Sequence, residues 1–249
     1  GWLVAQLINC IVFVIRSKKM PNFLQNTGSF FLNLMFIYIV FYLFWGLNYN
    51  RQGIKWQLGL PEKEAYSTEE LRNLNCLLLD KINQSKQAVL RQKKFPSTQQ
   101  LFKQVYEAYQ SATVQFPFLK YEPVSIKPGL WGNLQSYTGI SGYYNPFTGE
   151  AQMNMHLPDF ILPYTACHEV AHQLGYAKEM EANFVGYIAA ISSKDTLLHY
   201  SAYFDLFMYA NNSLYFSDSA FAKICRKDLL PQVKEDYLKW HNFKRAHQS

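Results

Sequence analysis

At 249 residues the chain is long enough for one large domain with appendages, and its apolar content of 49% is ordinary while Phe and Tyr are abundant. The formal charge of +6 is spread along the chain rather than gathered into a tract, and no RNA- or DNA-binding signature accompanies it, so nucleic acid is set aside as a partner. Cys10, Cys76, Cys167 and Cys225 are scattered without CxxC spacing, which excludes reading a cysteine zinc site or a disulfide framework from them; Cys10 and Cys167 read as small buried residues.

The opening "GWLVAQLINCIVFVI" is apolar, starts without methionine and is followed by "RSKK". A signal peptide carries its positive charges before the apolar run, so residues 1–15 read as the end of a membrane helix whose start precedes the sequence. Between Lys19 and Arg51 there is no charged residue, and "FFLNLMFIYIVFYLFWGL" has Asn33 as its clearly polar side chain. At 1.5 Å per residue this run reaches about 27 Å, close to the roughly 30 Å hydrocarbon core, and predicts a transmembrane helix over about 29–47 with Trp45 and Tyr49 at the interface. Residues 1–50 are thus a membrane segment with the lipid bilayer as partner. Arg16, Lys18 and Lys19 in the loop between the two runs favour an extracytoplasmic C-terminal domain.

Residues 51–66, with Gly53, Gly59 and Pro61, read as an irregular connector, and residues 67–249 as the domain that carries the candidate chemistry. A Ser67 to Glu70 capping box opens an amphipathic helix with Leu71, Leu74, Leu78, Ile82 and Val89 on its stripe. Pro96 and Ser97 start a second, through about Val114, with Leu101, Val105, Ala108 and Ala112 on one side. From Pro117 to Asn154 the signals change to Gly, Pro, Tyr and Thr, predicting short strands joined by turns. Helical patterning returns from about Asp159 and breaks near Gly175, Ser192 to Asp195, Ser217 to Asp218 and Lys227 to Asp228. The fold class is α+β and mostly helical, with a small sheet before the histidine pair.

In "YTACHEVAHQLG", Pro163 suits a first helical turn and Gly175 a C-terminal cap, so His168 and His172 lie four apart on one helix face. Two neutral imidazoles at this spacing can hold a zinc ion while Glu169, projecting beside them, acts as general base and then acid; this is the HExxH arrangement. Thr165, Ala166, Val170, Ala171, Gln173 and Leu174 are uncharged, as a helix buried around a metal requires.

Lys178 occupies the place of the third histidine in the longer pattern HExxHxxGxxH, and an ammonium repels a metal. A glutamate from the next helix is the other established solution. Glu179 and Glu181 are two apart, about 200° around a helix. Glu181 is in phase with Phe184, Val185, Ile188 and Ala189, which selects it as the ligand and leaves Glu179 nearer solvent; a solvated first-turn glutamate is the bland reading of Glu181. Tyr200 and His199 in "HYSAY", with Tyr203, are candidate oxyanion stabilisers, as are Tyr143 and Tyr144, and His156 is a loop histidine. Gly149, Glu150 and Ala151 in "TGEAQMN" are candidates for an edge strand that holds an extended peptide.

"PFTGEAQMN", "CHEVAHQLGYAKEMEANF" and "FWGLNYNR" together resemble an uncharacterised bacterial membrane family, domain of unknown function 3810, over essentially the whole chain. The resemblance implies a zincin-like peptidase anchored in the bacterial inner membrane and supplies no substrate. The HExxH followed by "EAN" is also similar to regulatory zinc peptidases that cleave repressors, in which the glutamate of "EAN" ligates zinc; this implies Glu181. The expected activity is hydrolysis of a peptide or protein substrate with one zinc ion. The rival readings are a zinc hydrolase of a non-peptide envelope substrate and a non-catalytic membrane interaction module that keeps the fold.

Overall fold

The computed structural model describes residues 23–61, 65–91 and 94–247, with side chains from residue 27 onward. The first apolar run, Cys10 and the basic loop lie outside the described residues. The chain divides into two compact units, 1–47 and 48–249, so the expected connector belongs to the second.

In the first unit, helix α1 spans Phe23–Phe44. Its stretch Thr27–Phe44 has a mean hydropathy of 1.8 and none of it is buried, so by length and composition it can cross a membrane. The α-helix stops at Phe44, short of the expected Leu47, because a tighter 3-10 turn over Gly46–Asn50 takes over. Gly46 packs against the Tyr42 ring where a side chain would clash.

The second unit begins with a short helix α2 (Ile54–Gln57) inside the connector. Helix α3 (Thr68–Val89) carries the expected capping box: the Ser67 N–H donates to the Glu70 carboxylate at 2.9 Å and the Glu70 N–H to the Ser67 hydroxyl at 3.2 Å. Its buried face runs through Asn75, Leu78, Ile82, Ser85 and Lys86, whereas Leu74, expected in the stripe, is exposed. Polar groups replace it: Asn75 donates to the Ala210 carbonyl at 3.2 Å, so this helix seats on a partner by hydrogen bonds as well as by apolar contact. Helix α4 (Thr98–Gln115) buries Leu101, Val105, Ala108 and Ala112 as expected.

Strands β1 (Ile126–Pro128), β2 (Gly142–Asn145) and β3 (Glu150–Met153) form a sheet in the order β1-β3-β2, with helix α5 (Gly132–Tyr137) between β1 and β2. β3 is central, parallel to β1 and antiparallel to β2, and Gly149 at φ +70 turns the β2–β3 hairpin. Gly149, Glu150 and Ala151 therefore do not form an edge, contrary to the sequence expectation: β3 is paired on both sides.

Five helices follow: α6 (Leu162–Gln173), α7 (Glu179–Ser192), α8 (Thr196–Ser217), α9 (Ser219–Lys227) and α10 (Pro231–His247). Their breaks fall where the sequence places them, and the Asp195 and Asp218 carboxylates cap α8 and α9 by accepting the N–H of Leu197 and Phe221. Helix α6 is the centre of the unit. All three strands pack against it, and α4, α7 and α8 pack against it as well. Residues 162–167 and 169–172 are buried.

Tyr200 is fully buried and its hydroxyl donates to the Asp236 carboxylate at 2.6 Å; the Lys86 ammonium binds the same oxygen at 2.5 Å and lies 4.6 Å from the Tyr200 ring centroid. Removing the shared carboxylate leaves a buried ammonium unpaired. Asp236→Ala is expected to destabilise the protein by about 3–5 kcal/mol, and Asp236→Asn by less, in thermal unfolding of the detergent-solubilised chain.

Candidate metal centre

The end of α6 sets the geometry of the site. The Gly175 N–H donates to the His172 carbonyl at 2.8 Å and the Tyr176 N–H to the Ala171 carbonyl at 3.2 Å, the paired bonds of a Schellman cap, with Gly175 at φ +90. A side chain at Gly175 would be strained there and would meet Arg51 Nη1 at 2.8 Å. This reversal carries the Tyr176 carbonyl back to the His172 ring, where it accepts from Nδ1 at 2.8 Å. A carbonyl can only accept, so in the neutral ring the proton sits on Nδ1 and the lone pair on Nε2.

The turn is held from outside by the connector. Arg51 Nη1 donates to the Leu174 carbonyl at 2.8 Å, the guanidinium lies 5.2 Å from the Tyr176 ring centroid, and the Tyr176 hydroxyl donates to Gln57 Oε1 at 2.7 Å. The residue that orients His172 is thus fixed by residues shortly after the apolar helix.

His168 and His172 project from one face of α6 with ring centroids 4.7 Å apart and planes at 90°. The carboxylate that meets them belongs to Glu179: its Oε2 is 3.3 Å from His168 Nε2 and its Oε1 3.4 Å from His172 Nε2. Ligand atoms of these three residues all lie within 4.8 Å of one another. Glu181, selected by helical phase, is elsewhere. Its carboxylate lies against Gly53 and 3.7 Å from the Lys178 ammonium.

The reason lies in which face of α7 meets α6. Gly186 sits where an added Cβ would be 3.0 Å from the His168 backbone nitrogen and 3.1 Å from its Cα. Small residues allow this approach, and the meeting face is Glu179, Ala182, Asn183 and Gly186, spaced by three and four. The bulkier stripe with which Glu181 is in phase runs along another side, and Phe184 in it is 36% exposed. The Asn183 side chain hydrogen-bonds His168, so both imidazoles have an orienting partner on the second helix or the turn before it.

Glu169 is 2% exposed and its Oε2 has no hydrogen-bond partner among the described residues. Across from it Gly142 of β2 supplies room: a Cβ there would lie 2.5 Å from the Glu169 carboxyl carbon. Burial pushes the Glu169 carboxyl up to about 7, the charge of His168 opposing and that of Glu179 adding to the rise. Glu179 is held below the usual carboxylate range, first by its hydrogen bond to His168. Burial and the neighbouring His168 charge lower His172, while for His168 burial is outweighed by Glu179, Glu169 and Asn183, and the ring is shifted up.

Of the other sequence candidates, Tyr200, His199 and Tyr143 have their polar groups engaged elsewhere. Tyr200 donates to Asp236, and His199 Nε2 pairs with the Ser193 carbonyl at 2.8 Å, which removes both as oxyanion stabilisers. Tyr143 donates to Gln152 at 2.6 Å. The His156 ring packs against Gly132. Cys167 is buried as expected, its thiol pushed up by burial, and its carbonyl accepts from the Tyr109 hydroxyl at 2.7 Å.

The donor set fits a zinc ion: two imidazoles and a carboxylate converge, each imidazole with an orienting partner, beside a buried carboxylate oxygen that lacks a proton donor. Gly186→Val is expected to force α7 from α6, costing roughly 1–3 kcal/mol in thermal unfolding and separating Glu179 from the histidines. No curated protein and no solved structure matches the chain. A family model described as "Protein of unknown function (DUF3810)" matches residues 1–249, and the chain belongs to that family.

Proposed function

We propose that the chain is a membrane-anchored zinc peptidase of the zincin type, with His168, His172 and Glu179 as metal ligands and Glu169 as general base. The observation that carries this reading is the convergence of the Glu179 carboxylate on the two imidazoles of an HExxH helix, next to a buried Glu169 with an unpartnered oxygen. Zinc in such a site would supply Lewis acidity and make a water acidic near neutral pH. The protein's own groups account for the rest.

Glu169 Oε2, buried and without a hydrogen-bond partner among the described residues, would take the proton of a water and return it to the amine that leaves. Gly142 keeps that carboxyl unobstructed by presenting no side chain. The same strand offers a way to hold a peptide. The Asn154 N–H donates to the Ser141 carbonyl at 3.0 Å, so by the alternation of an antiparallel pair the backbone groups of Gly142, the next residue, are directed away from β3. An extended chain laid along this side of β2 would bring a peptide bond beside Glu169. Gly149 to Ala151, on the turn and the paired central strand, have no part in it. Helix α1 tethers the domain to a bilayer, with the apolar Thr27–Phe44 stretch as anchor.

Metal analysis and peptide hydrolysis by the detergent-purified full chain test the reading. The intact protein is expected to hold one zinc ion, His172→Ala and Glu179→Ala to lose it, and Glu181→Gln to keep it. Glu169→Gln is expected to keep zinc and lose at least about 10²-fold in kcat/KM. Absence of zinc from the intact protein, or full hydrolysis by Glu169→Gln, would overturn the assignment. Gly142→Ala is expected to keep zinc and lower kcat, because the new Cβ displaces the Glu169 carboxyl rather than a ligand.

A further inference from the structure

Helix α5 is inside out. Its buried face is Gly132, Gln135 and Ser136, and its outward face carries apolar side chains. Trp131 is 66%, Leu134 60% and Tyr137 64% exposed, and they are extended by Leu130 at 87% and Ile140 at 43%. Spacing by three places Trp131, Leu134 and Tyr137 on one side. The inward face is polar: Asn154 donates to the Ser136 hydroxyl at 2.9 Å, and the Gln135 amide is 5% exposed with neither of its polar atoms partnered among the described residues. A helix covered only by water would have these faces reversed, since burying an unpartnered amide is costly and exposing contiguous Trp, Leu and Tyr gains nothing.

The chemistry beside this ridge identifies what covers it. The Tyr137 ring meets that of His247 at 59° with centroids 5.2 Å apart, at the end of α10, whose last turn carries Lys244 and Arg245. Both are exposed; the Lys244 ammonium lies 5.1 Å from the Trp240 ring centroid, and its charge also acts on Asp205. A Trp, Leu and Tyr ridge flanked by cations is the pattern of a surface that sits in the headgroup region of an anionic bilayer. The chain's own apolar helix keeps a bilayer within tether reach, which raises the effective concentration of lipid for a weak docking face.

We infer that the 130–140 ridge and the basic end of α10 dock the second unit onto an anionic lipid surface. Ile140 lies two residues before Gly142, whose backbone abuts Glu169, so docking sets the start of β2 close to lipid. The inference does not depend on zinc, and its readout requires no metal bound to the protein.

The test is a spin label at Leu134→Cys in the full chain, with Cys10→Ser and Cys76→Ser, reconstituted in nanodiscs of phosphatidylcholine alone or with phosphatidylglycerol. A label at Val114→Cys, 87% exposed on α4, is the water-facing control. The ratio of oxygen to nickel-chelate accessibility at position 134 is expected to exceed the control several-fold in anionic discs. Lys244→Glu and Arg245→Glu are each expected to lower the docked-to-undocked ratio by about fivefold or more. A label at 134 as accessible to the nickel chelate as the control would overturn the proposal. So would shielding that rises with the number of copies per disc instead of with anionic lipid.

Discussion

The close approach of α6 and α7 at Gly186 is the contact from which the candidate site follows. With the His168 backbone 3.0 Å from the place of a Cβ, the two helices pack at a distance that only small residues permit. That spacing puts Glu179, seven residues earlier on the same face, level with both imidazoles, and Asn183 between them in reach of His168. The Schellman cap at Gly175 reverses the chain sharply enough for α7 to return at once. The same cap supplies the carbonyl that orients His172, so one turn both closes the helix hairpin and fixes a ring.

Much of this was legible in the sequence, and the part that was not has a definite physical origin. The HExxH helix, its glycine cap, the helix breaks from residue 159 onward and the long apolar helix near the start follow from spacing and turn chemistry. The third ligand does not, because the bulkiest apolar stripe of α7, which sets the phase that points to Glu181, is not the face that meets α6. Two packed helices meet where their side chains are smallest, and Ala182 and Gly186, four apart, mark that face in the sequence itself. Referred to them, Glu179 is in phase and Glu181 is not. Residue type points to Tyr200 and His199 as oxyanion groups, but the Tyr200 bond to Asp236 exists only once α8 and α10 pack, and His199 is taken up locally by the Ser193 carbonyl across the loop before α8. The central position of β3 could not be read either, since β1 joins it in parallel across an intervening helix and hairpin.

Electrostatics and topology bear on the same residue. Glu169 carries its carboxyl into a space that the sheet and helices close, and burial rather than a neighbouring charge dominates its upward shift. Gly142 makes that space by lacking a side chain, at the start of the strand whose outward backbone faces away from the sheet. The apolar ridge of α5 leads directly into this strand, and Arg51 and Gln57, soon after the apolar helix, brace the turn that holds His172. Candidate chemistry and candidate membrane attachment thus share connecting segments only a few residues long.

Glu179, and not Glu181, is proposed to complete the metal centre. X-ray absorption at the zinc edge of the full chain carrying Glu179→Cys is the most direct measurement. A sulfur scatterer at about 2.3 Å is expected in that variant with two imidazoles beside it, and no sulfur in Glu181→Cys. A sulfur shell that appears on substitution of residue 181 instead of 179, or no bound zinc in the unsubstituted protein, would contradict it.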